Sequence, residues 1–160
     1  MAVRVMRGPM VLAMAAAAAL GTTTGTAAAL PSHADLQVVR LDPDPAAPGG
    51  LTTVHAFVAN GGPDRTASPF TVLVDLPAGF TAEGPFFPEN CTVSLAGHLV
   101  RCTFPAGLPA LRTATALIPV RVNAYVPPGT RAEGHVRVAG ADDTVPANDR
   151  TAFTLTVRAD

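Results

Sequence analysis

Apolar and polar positions alternate with a period of two along most of the chain beyond residue 34. Phe70, Val72, Val74 and Leu76 fall on one side of an extended segment, and Phe153, Leu155 and Val157 on one side of another, with Ala152, Thr154 and Thr156 opposite. Successive side chains of a strand point to opposite faces, so this alternation predicts half-buried strands. The pattern predicts strands near Asp35–Arg40, Thr52–Ala59, Phe70–Leu76, Cys91–Leu95, Leu99–Phe104, Thr113–Tyr125, Arg131–Val138 and Thr151–Val157. Between them stand Asp42-Pro43-Asp44-Pro45, Asn60-Gly61-Gly62-Pro63, Leu76-Pro77-Ala78-Gly79, Pro127-Pro128-Gly129 and Val145-Pro146-Ala147-Asn148. These residues preset or permit turn dihedrals and do not extend a ladder. Short strands at such spacing predict an all-β antiparallel sandwich or barrel of seven to eight strands. The long run Thr113–Tyr125 contains Pro119, which lacks a ladder donor, and a bend or bulge is expected there.

The two cysteines fit this pattern. Cys91, Val93 and Leu95 alternate with Thr92 and Ser94, and Val100, Cys102 and Phe104 alternate with Leu99, Arg101 and Thr103. Folding the segment about Ala96-Gly97 sets Cys91 opposite Cys102, on the face that carries Val93 and Val100. A cross-strand disulfide on the core side of a hairpin is therefore expected, closing a loop of about 12 residues. The alternatives are a metal pair or a reactive thiol, and no histidine stands at a ligand-like spacing to support them.

The first 29 residues differ from the rest. Arg4 and Arg7 precede the apolar run Val11–Leu20, and small residues follow, ending in Ala27-Ala28-Ala29. This is the order of an export signal, with cleavage expected after Ala29, and Ser32-His33-Ala34 offers a second small-x-small site. The apolar run is about half of the roughly 20 residues a membrane span needs, so no stable membrane insertion is expected after cleavage. Residues 30–160 then form one domain, secreted or extracellular, where a disulfide persists. The remaining composition adds exclusions. All 11 basic Lys/Arg positions are arginine, the net charge is −1, and no run of basic residues is visible, so nucleic acid is a poor partner. All four methionines lie in the first 14 residues, which leaves the body without a blue-copper ligand set.

In order along the chain, Ala34-Asp35-Leu36, Asp42-Pro43-Asp44-Pro45, Gly49-Gly50, Asn60-Gly61-Gly62-Pro63, Asp75-Leu76-Pro77-Ala78-Gly79-Phe80, the two cysteines, Pro128-Gly129-Thr130 and Pro146-Ala147-Asn148 resemble one copy of a bacterial extracellular Ig-like repeat, the family called domain of unknown function 11. The resemblance covers residues 35–157. It implies an Ig-like β-sandwich on bacterial surface or secreted proteins, often in tandem, without catalytic activity. Two departures stand out. One copy is present, which does not suit a pure spacer in a long stalk. The paired Asn near the family's end is Asn148-Asp149 here.

Candidate chemistry is sparse. If each strand reverses the last, alternate loops gather Asp42, Asp44, Glu89, Asn90, Asp142, Asp143 and Asp149 at one end of the sandwich. Ca²⁺ takes 6–8 oxygen ligands, so Asp42, Asp44, Asp142, Asp143 and Asp149 are the candidate metal residues, set against the ordinary use of Asp to cap turns. Phe86 and Phe87, in Gly84-Pro85-Phe86-Phe87-Pro88, are expected at that same end. Adjacent residues of an extended chain do not both face inward, so one of them is a candidate partner contact and the pair otherwise plugs the sandwich end. His55, His98 and His135 form no metal-ligand spacing, and His55 is expected on the surface. Ser68 and Ser94 lack a nucleophile-elbow context, and no phosphate-binding loop precedes a helix. The expectation is a secreted non-catalytic module for adhesion, wall association or assembly, without a cofactor. Its partner would be a protein or a cell-wall polysaccharide. The alternative is a Ca²⁺-dependent or carbohydrate-binding β-sandwich.

Overall fold

A computed structural model describes residues 32–159. The expected export signal, residues 1–29, and its cleavage site after Ala29 lie outside the described residues. Nine strands follow one another: β1 (Leu36–Val39), β2 (Leu51–Asn60), β3 (Phe70–Asp75), β4 (Phe80–Ala82), β5 (Thr92–Ser94), β6 (Leu99–Phe104), β7 (Thr113–Val122), β8 (Arg131–Gly140) and β9 (Arg150–Thr156). They form two antiparallel sheets, ordered β1-β2-β7-β4 and β5-β6-β3-β8-β9. The fold is the expected Ig-like antiparallel β-sandwich.

The period-two pattern decides which residues meet between the sheets. Val54, Ala56 and Val58 from β2 and Ala116, Ile118, Val120 and Val122 from β7 are fully buried, facing Val72, Val74, Val100, Val138, Phe153 and Leu155 from the other sheet. Each such Val, Leu or Phe contributes about 1.5–3 kcal/mol by leaving water. The core is made largely of small branched side chains, and its few rings need room. Gly134 supplies it: a Cβ there would strike the Phe153 ring and the Asp75 carbonyl oxygen.

Pro119 does not bend or bulge β7. The β2–β7 register runs without a slip from Leu51↔Arg121 to Ala59↔Thr113. In an antiparallel strand the N–H and C=O of one residue point the same way, and the direction alternates along the chain. Leu117 exchanges both backbone bonds with Phe87 (3.1 and 2.8 Å), and the Pro119 oxygen accepts from Glu83 N at 2.9 Å, so residues 117 and 119 point away from β2. The missing donor therefore faces the side where β4 has already ended at Ala82, and the long ladder with β2 loses nothing.

β4 was absent from the expected strands, and it reorders the loops. It is three residues long, and it turns back sharply from β3 through Gly79, whose φ is +87°. An extra strand reverses the chain once more. Every loop after it therefore changes ends relative to an eight-strand count.

Candidate interaction surfaces

The two groups of candidate metal residues lie at opposite ends of the sandwich, contrary to the expected convergence; the extra reversal at β4 is the reason. Asp142, Asp143 and Asp149 sit between β8 and β9, beside the start of β1. Asp42 and Asp44 sit beyond the far end of β1, along the outer edge of β9. Glu89 and Asn90 flank β5, where Asn90 Nδ2 donates to the Thr103 carbonyl at 2.6 Å.

At the first end, the acids accept hydrogen bonds that hold loops together. Asp142 Oδ2 accepts from the Ser68 N–H at 2.5 Å. Asp143 Oδ1 accepts from the N–H groups of Leu36 and Val145 at 3.1 and 3.2 Å, and Asn148 Nδ2 donates to Asp35 Oδ1 at 2.9 Å. These bonds pin β1 to the loop before β9. Asp143 Oδ2, Asn148 Oδ1 and Asp149 Oδ1 are buried without a hydrogen-bond donor from the rest of the fold. Burial, a hydrogen bond with Asp143, and the charges of Asp143 and Asp35 push the Asp149 carboxyl up to about 7. Protonated Asp149 can donate to Asp143, whereas the Asn148 oxygen keeps no donor from the fold. Among the described residues, no group of three or more His, Cys, Asp or Glu side chains is arranged to hold a metal ion.

Asn60, read in the sequence as a turn residue, organises the same end. It is fully buried and makes four side-chain bonds: Nδ2 donates to the carbonyls of Asp64 (2.7 Å) and Leu108 (3.0 Å), and Oδ1 accepts from the N–H groups of Asp35 and Gly62 (both 3.1 Å). All of its amide valences are used. Thr66, also buried, has its hydroxyl oxygen accepting from the N–H groups of Gly107 and Leu108, both at 3.0 Å. The Asn-Gly-Gly-Pro run signals a turn; nothing in it announces a hub joining three loops.

At the opposite end, Asp42 Oδ1 accepts from the Thr154 N–H at 2.8 Å and from Arg40 Nη2 at 3.2 Å. The Thr154 bond, followed by that from Arg40, holds its carboxyl below the usual range. Asp42 thus occupies a donor on the outer edge of β9 and shields that edge from pairing. Asp44 contributes its backbone, with its carbonyl accepting from Thr52 Oγ1 at 2.7 Å. A cleft of about 250 Å³ opens here, lined by Leu41, Asp42, Pro43, Asp44, Thr53 and His55.

Cys91 and Cys102 form the expected disulfide, with Cα atoms 4.1 Å apart. The β5–β6 register sets Val93 opposite Val100 and Thr92 opposite Arg101, as the alternation required. Cys102 and Val100 are buried, but Val93 is 40% exposed because β5 overhangs the edge of its sheet. Leu95 leaves the strand altogether for a tight turn with φ of +52°, and is exposed.

Phe86 and Phe87 are neither at the Asp-rich end nor equivalent. They lie along the edge of the four-stranded sheet, halfway up β7. Phe86 packs against the core, while Phe87 is 55% exposed beside Leu117. Register continues this row from Phe87 through Leu117 to His55, which is exposed as expected. His55 stacks on Phe57 with ring centroids 6.5 Å apart, and Phe57 pairs with the exposed Val39. The outer face of the β1-β2-β7 sheet thus carries a band of apolar and aromatic side chains, set among Gln37, Thr53 and Thr115, that reaches the cleft at His55 and Leu41.

No family model matches the chain, and no curated protein matches it. Solved structures do. The chain is similar to a variant of BcpA, the major pilin subunit of Bacillus cereus, with a TM-score of 0.53 at 13% identity over 78% of this chain and 39% of that one. It spans well under half of that pilin. It is also similar to AvmM, which catalyses macrocyclization in alchivemycin A biosynthesis (TM-score 0.45, 11% identity, 81% and 92% covered). A third likeness is to the third cohesin of ScaC, solved with the ScaB dockerin, from Acetivibrio cellulolyticus (TM-score 0.48, 13% identity, 78% and 99% covered). The pilin likeness describes a shared fold, and the function rests on the chain's own surfaces.

Proposed function

We propose that this chain is a secreted, non-catalytic contact module that docks a protein partner on the outer face of β1, β2 and β7. The observation that carries the reading is the row Phe87–Leu117–His55 with Phe57, Val39 and Leu41 beside it, on a sheet whose other face already seals the core. Apolar and aromatic side chains that water leaves on docking are the usual anchors of a protein interface. The export-signal pattern, the disulfide and the ordered turn motifs that resemble domain of unknown function 11 support an extracellular setting. The likeness to a pilin subunit, one of fold, is in keeping with an assembly role.

The test places a photo-crosslinking amino acid at position 87, and separately at Thr103 on the other sheet, in cells that make the protein. A single protein adduct from position 87, absent from position 103 and lost with Val39→Asp, is the expected result. No adduct, or the same adducts from both positions, would overturn the assignment of this face.

A further inference from the structure

The five-stranded sheet turns a different chemistry outward. Its register places Thr92, Arg101, Leu73, Arg137 and Arg150 in one row across β5, β6, β3, β8 and β9. The alternation of buried partners puts all five side chains on the outer face: Val100, Val72, Val74, Val136, Val138 and Phe153 are the inward ones. Arg101, Arg137 and Arg150 are exposed, and among the described residues none of them forms an ion pair. Arg137 and Arg150 stand directly opposite each other in the ladder. Directly opposed residues have Cβ atoms about 5 Å apart, and like charges so placed repel. Leu73 points outward yet is only 4% exposed. Arg101 and Arg137 flank it in register, and long side chains lay their stems over such apolar neighbours while keeping the charge in water.

The surroundings of the row are mostly neutral. On one side the next row is Thr103, Thr71 and Ala139; on the other it is Leu99, Asp75, His135 and Ala152. Asp75 is the acid of that neighbouring row, and Glu133 one row beyond pairs with His135 at 3.3 Å. With strands about 4.8 Å apart, the three arginines cover roughly 14 Å across the sheet. A chain whose net charge is −1 therefore carries on one face a line of three arginines without an ion pair among the described residues, with Asp75 in the adjoining row. An occupant with repeated negative charges would relieve the Arg137–Arg150 repulsion and use guanidinium donors made for carboxylate or phosphate oxygens.

We infer that the row Arg101–Arg137–Arg150 binds an extended acidic polysaccharide or polyol chain carrying one carboxylate or phosphate per repeat. The neighbouring threonine hydroxyls are suited to its sugar or polyol groups. This assignment rests on the reading of the chain as an extracellular contact module, but it uses the opposite sheet from the Phe87 surface.

The test titrates the purified full-length protein with polygalacturonate, poly(glycerol phosphate), neutral dextran and duplex DNA, at about 50 and about 500 mM NaCl. Binding to one or both acidic polymers is expected, with none to dextran. It should weaken at least about tenfold at the higher salt and about tenfold with Arg137→Gln plus Arg150→Gln. Preference between the two polymers identifies carboxylate or phosphate as the anion. Arg→Lys at all three positions keeps the charge and should keep the salt-sensitive binding, with thermal unfolding confirming that each variant is folded. Phe87→Asp should bind like the parent, so loss of the partner face and loss of this row read out separately. No salt-sensitive binding, binding unchanged with all three arginines as Gln, or equal binding to DNA would overturn the inference.

Discussion

Asn60 donates its side-chain amide to the Leu108 carbonyl across 48 residues of sequence, at 3.0 Å, inside a fully buried pocket. Through the same side chain it also holds Asp64, Asp35 and Gly62. Removing it leaves the Asp35 and Gly62 N–H groups and the Asp64 carbonyl without this partner, while the Leu108 carbonyl keeps the Thr66 N–H at 3.1 Å. Each unsatisfied group costs about 1–3 kcal/mol, partly relieved by relaxation or an entering water. Asn60→Ala is therefore expected to destabilise the domain by about 3–4 kcal/mol in denaturant unfolding. Asn60→Asp should be at least as damaging, because a carboxylate oxygen would then face the two carbonyls. A loss below about 1 kcal/mol for both variants would show that the three loops hold without this residue.

The disulfide makes a separate prediction. Cys91 and Cys102 are 11 residues apart, and Cys102 is buried in the core while Cys91 packs at its margin. Closing so short a loop restricts the unfolded chain by about 3 kcal/mol in the entropy model. Replacing both cysteines by Ala should lower the unfolding free energy by about that amount, and a reductant should move the parent's melting temperature towards the variant's. The exposed overhang of β5 should be the first segment to exchange its amide hydrogens once the bridge is gone. A melt unchanged by both treatments would contradict the stabilising role.

Much of this fold could be read from local chemistry, and what could not has a common cause. β2, β3, β6 and β9 announce themselves because each buries alternate residues over four or more positions. The Cys91–Cys102 pairing follows from the same alternation. β4 does not, because three residues, Phe80–Ala82, are too few to show a period and follow directly on a Pro-Ala-Gly turn. That single omission reversed the assignment of loops to ends, and so brought Asp42 and Asp44 into a cluster with Asp142, Asp143 and Asp149 from which they are in fact remote. The arginine row is invisible for a different reason. Residues 101, 137 and 150 are scattered along the sequence, and strand order alone makes them neighbours. The apolar surface around Phe87 is assembled from four separate segments in the same way. Period identifies a strand's two faces, but topology decides what those faces share.

Phe86 and Phe87 are adjacent in sequence and opposite in role, which gives a paired test. Phe86 packs on the core, and Phe87 stands out from the sheet edge with 55% of its surface exposed. Phe86→Ala is expected to cost about 2–3 kcal/mol, below the range for a fully buried ring because it is only half-buried. Phe87→Ala should stay within about 0.5 kcal/mol of the parent in stability while removing an anchor of the proposed partner face. Equal effects of the two substitutions on unfolding would contradict the division between core and surface.

The carboxyl corner predicts an inverted response to pH. Asp149 has its pKa raised by burial and by Asp143, to about 7 from an ordinary value near 4. Below the ordinary value both folded and unfolded chains hold the proton. Between about 4 and 7 the unfolded chain has lost it and the folded chain has not, so stability falls as pH rises through this window and levels off above it. Asp42 works in the other direction. Its carboxyl is lowered by the Thr154 N–H and Arg40, so the stability it adds is present above its ordinary value and lost as pH falls through the lowered one. The melting temperature is therefore expected to decline from pH 5 to pH 8. Asp149→Asn should flatten that decline and raise the melting temperature at pH 8, whereas Asp42→Asn should leave the decline intact and act only through the loss of its acid-side contribution. A slope between pH 5 and 8 that persists unchanged in Asp149→Asn would place the titrating group elsewhere. The corner ties β1 to the loop before β9 through Asp143 and the Leu36 N–H. Ionising Asp149 should therefore loosen the first strand before the rest of the sandwich, seen as faster amide exchange at Leu36 at pH 8, beyond the intrinsic pH effect, than at pH 5.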